Sequence, residues 1–230
     1  MLLVGVGAEL CSSWWEGRVS AIIEEANPSQ VAVELTTGEP DLLLRGVDEL
    51  VERVVSRATF GFGSVPDEAR LHNYSPLFWA LGLCPQREMA TAASAAAALN
   101  LPVAHVDTPM SVTLAALEGA LSISELTNMQ GAADSAEGVA LDRLAASLAA
   151  ADGGLEPAVC AALRQREQAR QCVEQLRTVA PAMADVVIDA RNQALSEQLL
   201  ALEGSTVAMV GVARMDGVEE CLRRAGADIG

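Results

Sequence analysis

The residues of this chain whose types and positions invite chemistry are Glu34, Glu88, Asp107 and His105. Glu34 interrupts the apolar run Val31-Ala32-Val33-Glu34-Leu35 near its carboxyl end, and an unpaired carboxylate there is costly to bury. Glu88 follows Pro85 in the first turn of a predicted helix, where the helix dipole favours negative charge, so a structural role explains it as readily as a chemical one. Asp107 ends a predicted strand over residues 103–107, and His105 shares its face by the two-residue alternation of a strand. A His/Asp pair at a strand end could ligate a metal or move a proton, although a lone histidine is more often a satisfied core residue. The chain holds only 2 histidines, and His72 falls in a glycine- and proline-rich stretch, so a histidine-rich metal site cannot be assembled. The pair Arg191-Asn192 lies inside a long predicted helix, where an arginine is usually solvated or paired with an acid such as Asp185 or Glu197.

Several other chemistries are excluded. Gly5-Val6-Gly7 begins like a dinucleotide-binding turn, but the third glycine is replaced by Leu10 and Glu9 would meet the pyrophosphate. All 15 basic residues are arginine, which removes the phosphate-loop lysine, the Schiff-base lysine and the lysine nucleophile together. No GxSxG elbow is present. A net charge of −16 repels a phosphate backbone, and an aromatic content of 3% offers few stacking platforms, so nucleic acid is not an expected partner. The 5 cysteines (Cys11, Cys84, Cys160, Cys172 and Cys221) are scattered without CxxC spacing. With no charged leader or cleavage site before the first apolar run, they read as reduced, mostly buried thiols in a cytoplasmic setting. No apolar run reaches membrane-spanning length, so a soluble chain without membrane insertion is expected.

The elements that must position these residues follow from periodicity. Leu2-Leu3-Val4-Gly5-Val6 reads as a core strand, and Ser12 and Ser13 can cap a helix through residues 18–26 with Val19, Ile22 and Ile23 on one face. Asn27-Pro28 stops it before a second strand at residues 31–35, which makes a βαβ unit and predicts a parallel pair. A helix over residues 42–57, an excursion over 59–85, a helix over 88–99, a strand over 103–107 and a helix over 111–121 follow. Residues 130–138 read as a polar linker. Long helices over 157–179 and 181–202 precede a strand over 206–212 and a helix over 218–225. The helix over 157–179 carries a mixed-charge face of Arg164, Arg166, Glu167, Arg170, Glu174 and Arg177. Half of the residues (51%) are apolar and the length of 230 suits one domain. The expected fold is α/β: a central, largely parallel (mixed) sheet flanked by helices, with a helical subdomain of roughly residues 137–202 inserted before the last strand. Gly5 and Gly211 both stand at strand carboxyl ends, which face the ligand crevice in such sheets.

In order along the chain stand Val4-Gly5-Val6-Gly7-Ala8, Pro28-Ser29-Gln30-Val31-Ala32-Val33-Glu34-Leu35 and Gln86-Arg87-Glu88-Met89. After them come Val106-Asp107-Thr108 through Thr113-Leu114, Asp189-Ala190-Arg191-Asn192 and Met209-Val210-Gly211-Val212-Ala213-Arg214-Met215-Asp216-Gly217-Val218. This series resembles the motif order of the TraB/PrgY/GumN (Tiki-like) family over nearly the whole chain. The resemblance implies an EreA/ChaN-like fold and, in the family's better-studied branch, metal-dependent peptide hydrolysis using two G-x-x-H histidines and glutamates. Carried over by position, Glu34 and Glu88 match the acidic site residues. Asp107 matches the strand-end aspartate, Arg191 the arginine of the late helix, and Gly5 and Gly211 the motif glycines.

Both signature histidines are missing: Ala8 and Arg214 stand in their places, Thr108 replaces an arginine and Asp189 a glutamate. Alanine offers a metal nothing, and a guanidinium has no lone pair to give. The leading expectation is therefore a degenerate site without metal or cofactor, in a non-catalytic binding, regulatory or scaffolding module that engages a protein or peptide partner and could self-associate. Arg214 is expected to pair with Glu34 or Glu88, with Arg191 and Asn192 beside the pocket. The alternative is a hydrolase that uses Glu34, Glu88, Asp107 and His105, with the family-matched Arg191 beside them and with a divalent cation (Mn, Co or Mg) or none, since carboxylates alone can hold a hard ion. A third reading takes the motif matches as accidental and expects Gly5 and Gly211 on distant strand ends.

Overall fold

The computed structural model describes residues 1–6, 13–35, 87–125, 127–128 and 166–230. The predicted helix over 42–57, the excursion over 59–85, the linker over 130–138, residues 157–165, Ala8, His72, Cys11, Cys84 and Cys160 lie outside them. Among the described residues the elements run β1 (Leu2–Val6), α1 (Ser13–Ala26), β2 (Gln30–Val33), α2 (Arg87–Ala98), β3 (Val103–His105), α3 (Met110–Ala120), α4 (Arg166–Val179), α5 (Pro181–Ala184), α6 (Arg191–Leu200), β4 (Thr206–Gly211) and α7 (Met215–Arg224). A π-helical stretch, Asp185–Ala190, joins α5 to α6, and a 3-10 turn, Val212–Arg214, joins β4 to α7.

The strands form one parallel sheet in the order β1-β4-β2-β3. The predicted β1–β2 neighbours are thus parallel but not adjacent, because β4 lies between them and pairs with both. Composition explains the choice: every residue of β4 is buried, as a central strand covered on both faces requires. Two-residue alternation divides the core. Val31 and Val33 of β2 and Val207 and Met209 of β4 pack with Val19 and Ile23 of α1 and with Met89, Ala92 and Ala96 of α2. Ala32, Ala208 and Val210 face the other way, onto Leu195 and Leu199 of α6 and Met215, Val218 and Leu222 of α7. Small residues on the second face let α6 and α7 approach the sheet closely.

The predicted single helix over 181–202 is instead broken by the π stretch, whose extra residue per turn interrupts the regular ladder ahead of Arg191. Of residues 137–202, where a helical subdomain was expected, the described part begins at residue 166 and holds α4, α5, the π stretch and α6. No helix among the described residues is long and apolar enough to cross a membrane.

Candidate functional site

Parallel strands deliver their carboxyl ends to one edge, and the chemistry-bearing residues collect there. Val6 pairs with Gly211 and Gly5 with Val210, so the two motif glycines lie on adjacent strands one residue apart in register, not on distant ends. A Cβ on Gly5 would come within 3.1 Å of Met215 Cγ, so the small residue lets the start of α7 fold over the strand. Glu34 stands immediately after β2, with its amide bonded to the Met209 carbonyl at 3.1 Å. It belongs to the Ala32 side of the strand, the side covered by α6 and α7. Asp107 stands just beyond β3, held by a 2.7 Å bond from the Thr108 amide to Oδ1.

The 3-10 turn after β4 sends Arg214 back toward β2. Its side chain is fully buried, with 0% of the residue exposed. Nε donates to Glu34 Oε1 in a very short contact, and Nη1 donates to the Val187 carbonyl of the π stretch at 2.9 Å. The other Glu34 oxygen, Oε2, accepts the Gly211 amide at 2.7 Å. The expected Arg214–Glu34 contact is therefore present.

Arg191 departs from the sequence expectation. It is not a solvated helix residue and does not pair with Asp185 or Glu197; it is buried and forks onto Asp107. Nε donates to Oδ1 at 3.1 Å and Nη2 to Oδ2 at 2.5 Å, while Nη2 also lies 3.6 Å from Glu34 Oε1. The reason is the π stretch, which precedes Arg191 directly and sets the rotation of α6, so that Arg191 reaches Asp107 beyond β3 while Asn192 packs against α7. His105 also departs from expectation: it is exposed on β3, while Asp107 turns inward to Arg191.

The result is a buried cluster of Glu34, Asp107, Arg191 and Arg214 with balanced formal charge. Burying ions costs several kcal/mol each and is offset only by close, well-bonded partners, which this cluster supplies for every oxygen of its two carboxylates. Burial pushes the Glu34 carboxyl above the ordinary range and Asp107 adds to the push; Arg214, Arg191 and the Gly211 amide act against it. Burial likewise lowers the Arg214 guanidinium from its usual value, with Arg191 reinforcing the shift and Glu34 and Asp107 opposing it. A guanidinium nevertheless stays protonated in proteins, so both arginines act here as fixed cations.

Glu88 sits in the first turn of α2, as predicted, though its side chain lies outside the described residues. Asn192 is buried against α7, where a Cβ on Gly217 would fall 2.1 Å from Nδ2. Among the described residues, no group of three or more His, Cys, Asp or Glu is placed to hold a metal.

Two features had no place in the sequence reading. Glu125 is buried, and its Oε1 accepts the Ala182 amide at 2.7 Å, completing the start of α5 just after Pro181. The signal available was Pro181 itself, which marks a helix start with orphan amides. Asp216 and Glu219 of α7 bind the mixed-charge face of α4: Arg170 Nε meets Asp216 at 2.6 Å, Arg166 Nη1 meets Glu219 at 2.8 Å, and Arg166 also touches Asp216. Hydrogen bonds from these arginines hold both carboxyls below the usual range.

No known family model matches this chain, and no curated protein matches it.

Proposed function

We propose that this chain is a TraB/PrgY/GumN-like domain whose hydrolase site has been closed by an ion pair and which now works as a binding or scaffolding module. The observation that carries the reading is the occupation of Glu34. Its two oxygens are taken by Arg214 Nε and the Gly211 amide, so the carboxylate that matches a family site position is already engaged by the chain itself. A cation stands next to it as a metal would, but a guanidinium has no empty orbital with which to polarise a carbonyl or activate water. The adjacency of Gly5 and Gly211 on neighbouring strands supports the motif-based likeness over an accidental one. A divalent-ion hydrolase would have to free Glu34 and Asp107 from these arginines first.

Metal analysis of the purified chain tests the reading. The expected result is substoichiometric Mn, Co and Zn and no metal-dependent cleavage of a peptide library. One tightly bound ion per chain, whose removal abolishes peptidase activity, would overturn it.

A further inference from the structure

Each guanidinium of the cluster has one end unused among the described residues. Arg191 Nη1 and Arg214 Nη2 meet no hydrogen-bond partner there, although both side chains are at least nine-tenths buried. The acceptors of the cluster are already committed: Glu34 Oε1 to Arg214, Glu34 Oε2 to Gly211, Asp107 Oδ1 to Thr108 and Arg191, and Asp107 Oδ2 to Arg191. What the two guanidiniums have left to offer is hydrogen-bond donors. An unmet charged donor is costlier to bury than a neutral one. Both guanidiniums also converge on one atom, since Arg214 Nε and Arg191 Nη2 approach the same Glu34 oxygen. The site lies at the carboxyl edge of the parallel sheet, between β2 and β4, where ligands enter such folds.

We propose that Arg191 Nη1 and Arg214 Nη2 form a site for a small oxyanion, a carboxylate or phosphate group carried by the module's ligand. This rests on the binding-module reading above and names the chemistry its site would take. One Nη from each guanidinium can donate to a separate oxygen of a carboxylate or phosphate, a pair of acceptors that a spherical halide does not offer.

Thermal melts of the intact chain in sodium phosphate, sodium formate or sodium chloride at fixed ionic strength test it. Phosphate or formate, but not chloride, should raise Tm once its concentration passes Kd, by about 3 °C per further tenfold. An effect of phosphate alone assigns a phosphate group; an effect of formate assigns a carboxylate. Arg191→Lys keeps the charge but loses the Nη1 donor and should weaken the anion about tenfold, whereas Arg224→Ala on the exposed face of α7 should not. Should Arg191→Lys fail to fold, side-chain 15N NMR of the unaltered chain gives the same answer, because phosphate or formate should move two guanidinium signals and leave the rest. Flat titrations with both oxyanions overturn the proposal, as does an anion effect that emerges only in Glu88→Gln, which would assign the donors to the chain's own carboxylate. Metal-dependent peptidase activity would instead overturn the binding-module reading, so the two failures are distinguishable.

Discussion

At the scale of single residues, Arg214 carries the most weight. It is the fully buried partner of Glu34 and reaches across from β4 to the π stretch, so removing it strands a carboxylate in the interior. Breaking such a pair from one side costs roughly 3–5 kcal/mol. Arg214→Ala is therefore expected to lower the denaturant midpoint steeply, while Arg223→Ala, whose side chain is 63% exposed, should barely move it. An Arg214→Ala chain as stable as the parent would remove the basis for a closed site. The combined Ala8→His and Arg214→His variant rebuilds both family motifs; added Mn or Co should then raise its Tm through preferential binding to the native state. The motif resemblance narrowed the partner of Arg214 to Glu34 or Glu88, and the partner found is Glu34, which like Arg214 follows the carboxyl end of a strand in a parallel pair. It did not give Arg191–Asp107, because the rotation that turns Arg191 inward comes from a π stretch, and no residue in Asp185–Ala190 announces one.

At the scale of elements, α7 is fixed by contacts of two kinds. Toward α6 the fit is steric. Gly217→Ala would place a methyl 2.1 Å from Asn192 Nδ2 in a buried setting, an overpacking that costs about 1–3 kcal/mol even though alanine favours a helix. Adding Asn192→Ala should return most of that loss and expose the helix-propensity gain; no rescue in the double variant would mean the strain lies elsewhere. Toward α4 the contact is electrostatic, through Arg166 and Arg170 onto Asp216 and Glu219. Both carboxyls are depressed, so their contribution is present above the ordinary carboxyl range and lost as pH falls through the lowered values. Asp216 is 36% exposed, and solvent screening keeps the effect to about 1 kcal/mol or less. Asp216→Asn should flatten the acid limb of stability against pH and make α4 amides exchange faster, with the difference shrinking in high salt. An acid limb that stays equally steep would assign it to other carboxylates.

At the scale of the whole molecule, the alternation of apolar residues made the parallel α/β architecture legible, whereas strand order was not. The βαβ pattern at residues 2–33 implies that β1 and β2 run the same way; it says nothing about a later strand entering between them, which depends on β4 being the most deeply apolar segment available. That insertion has a consequence in time. Register joins Leu2 to Val207 and Gln30 to Thr206, so the partner of the first strand is made about two hundred residues after it. At synthesis rates of about 5–20 residues per second, β1 and β2 wait on the order of ten to forty seconds for the strand that unites them. A ribosome-bound chain stopped at Ser205 should therefore be cut within residues 2–33 by a protease that spares the same stretch once Thr206–Gly211 has emerged. During that wait the nascent apolar strands are ready substrates for chaperones.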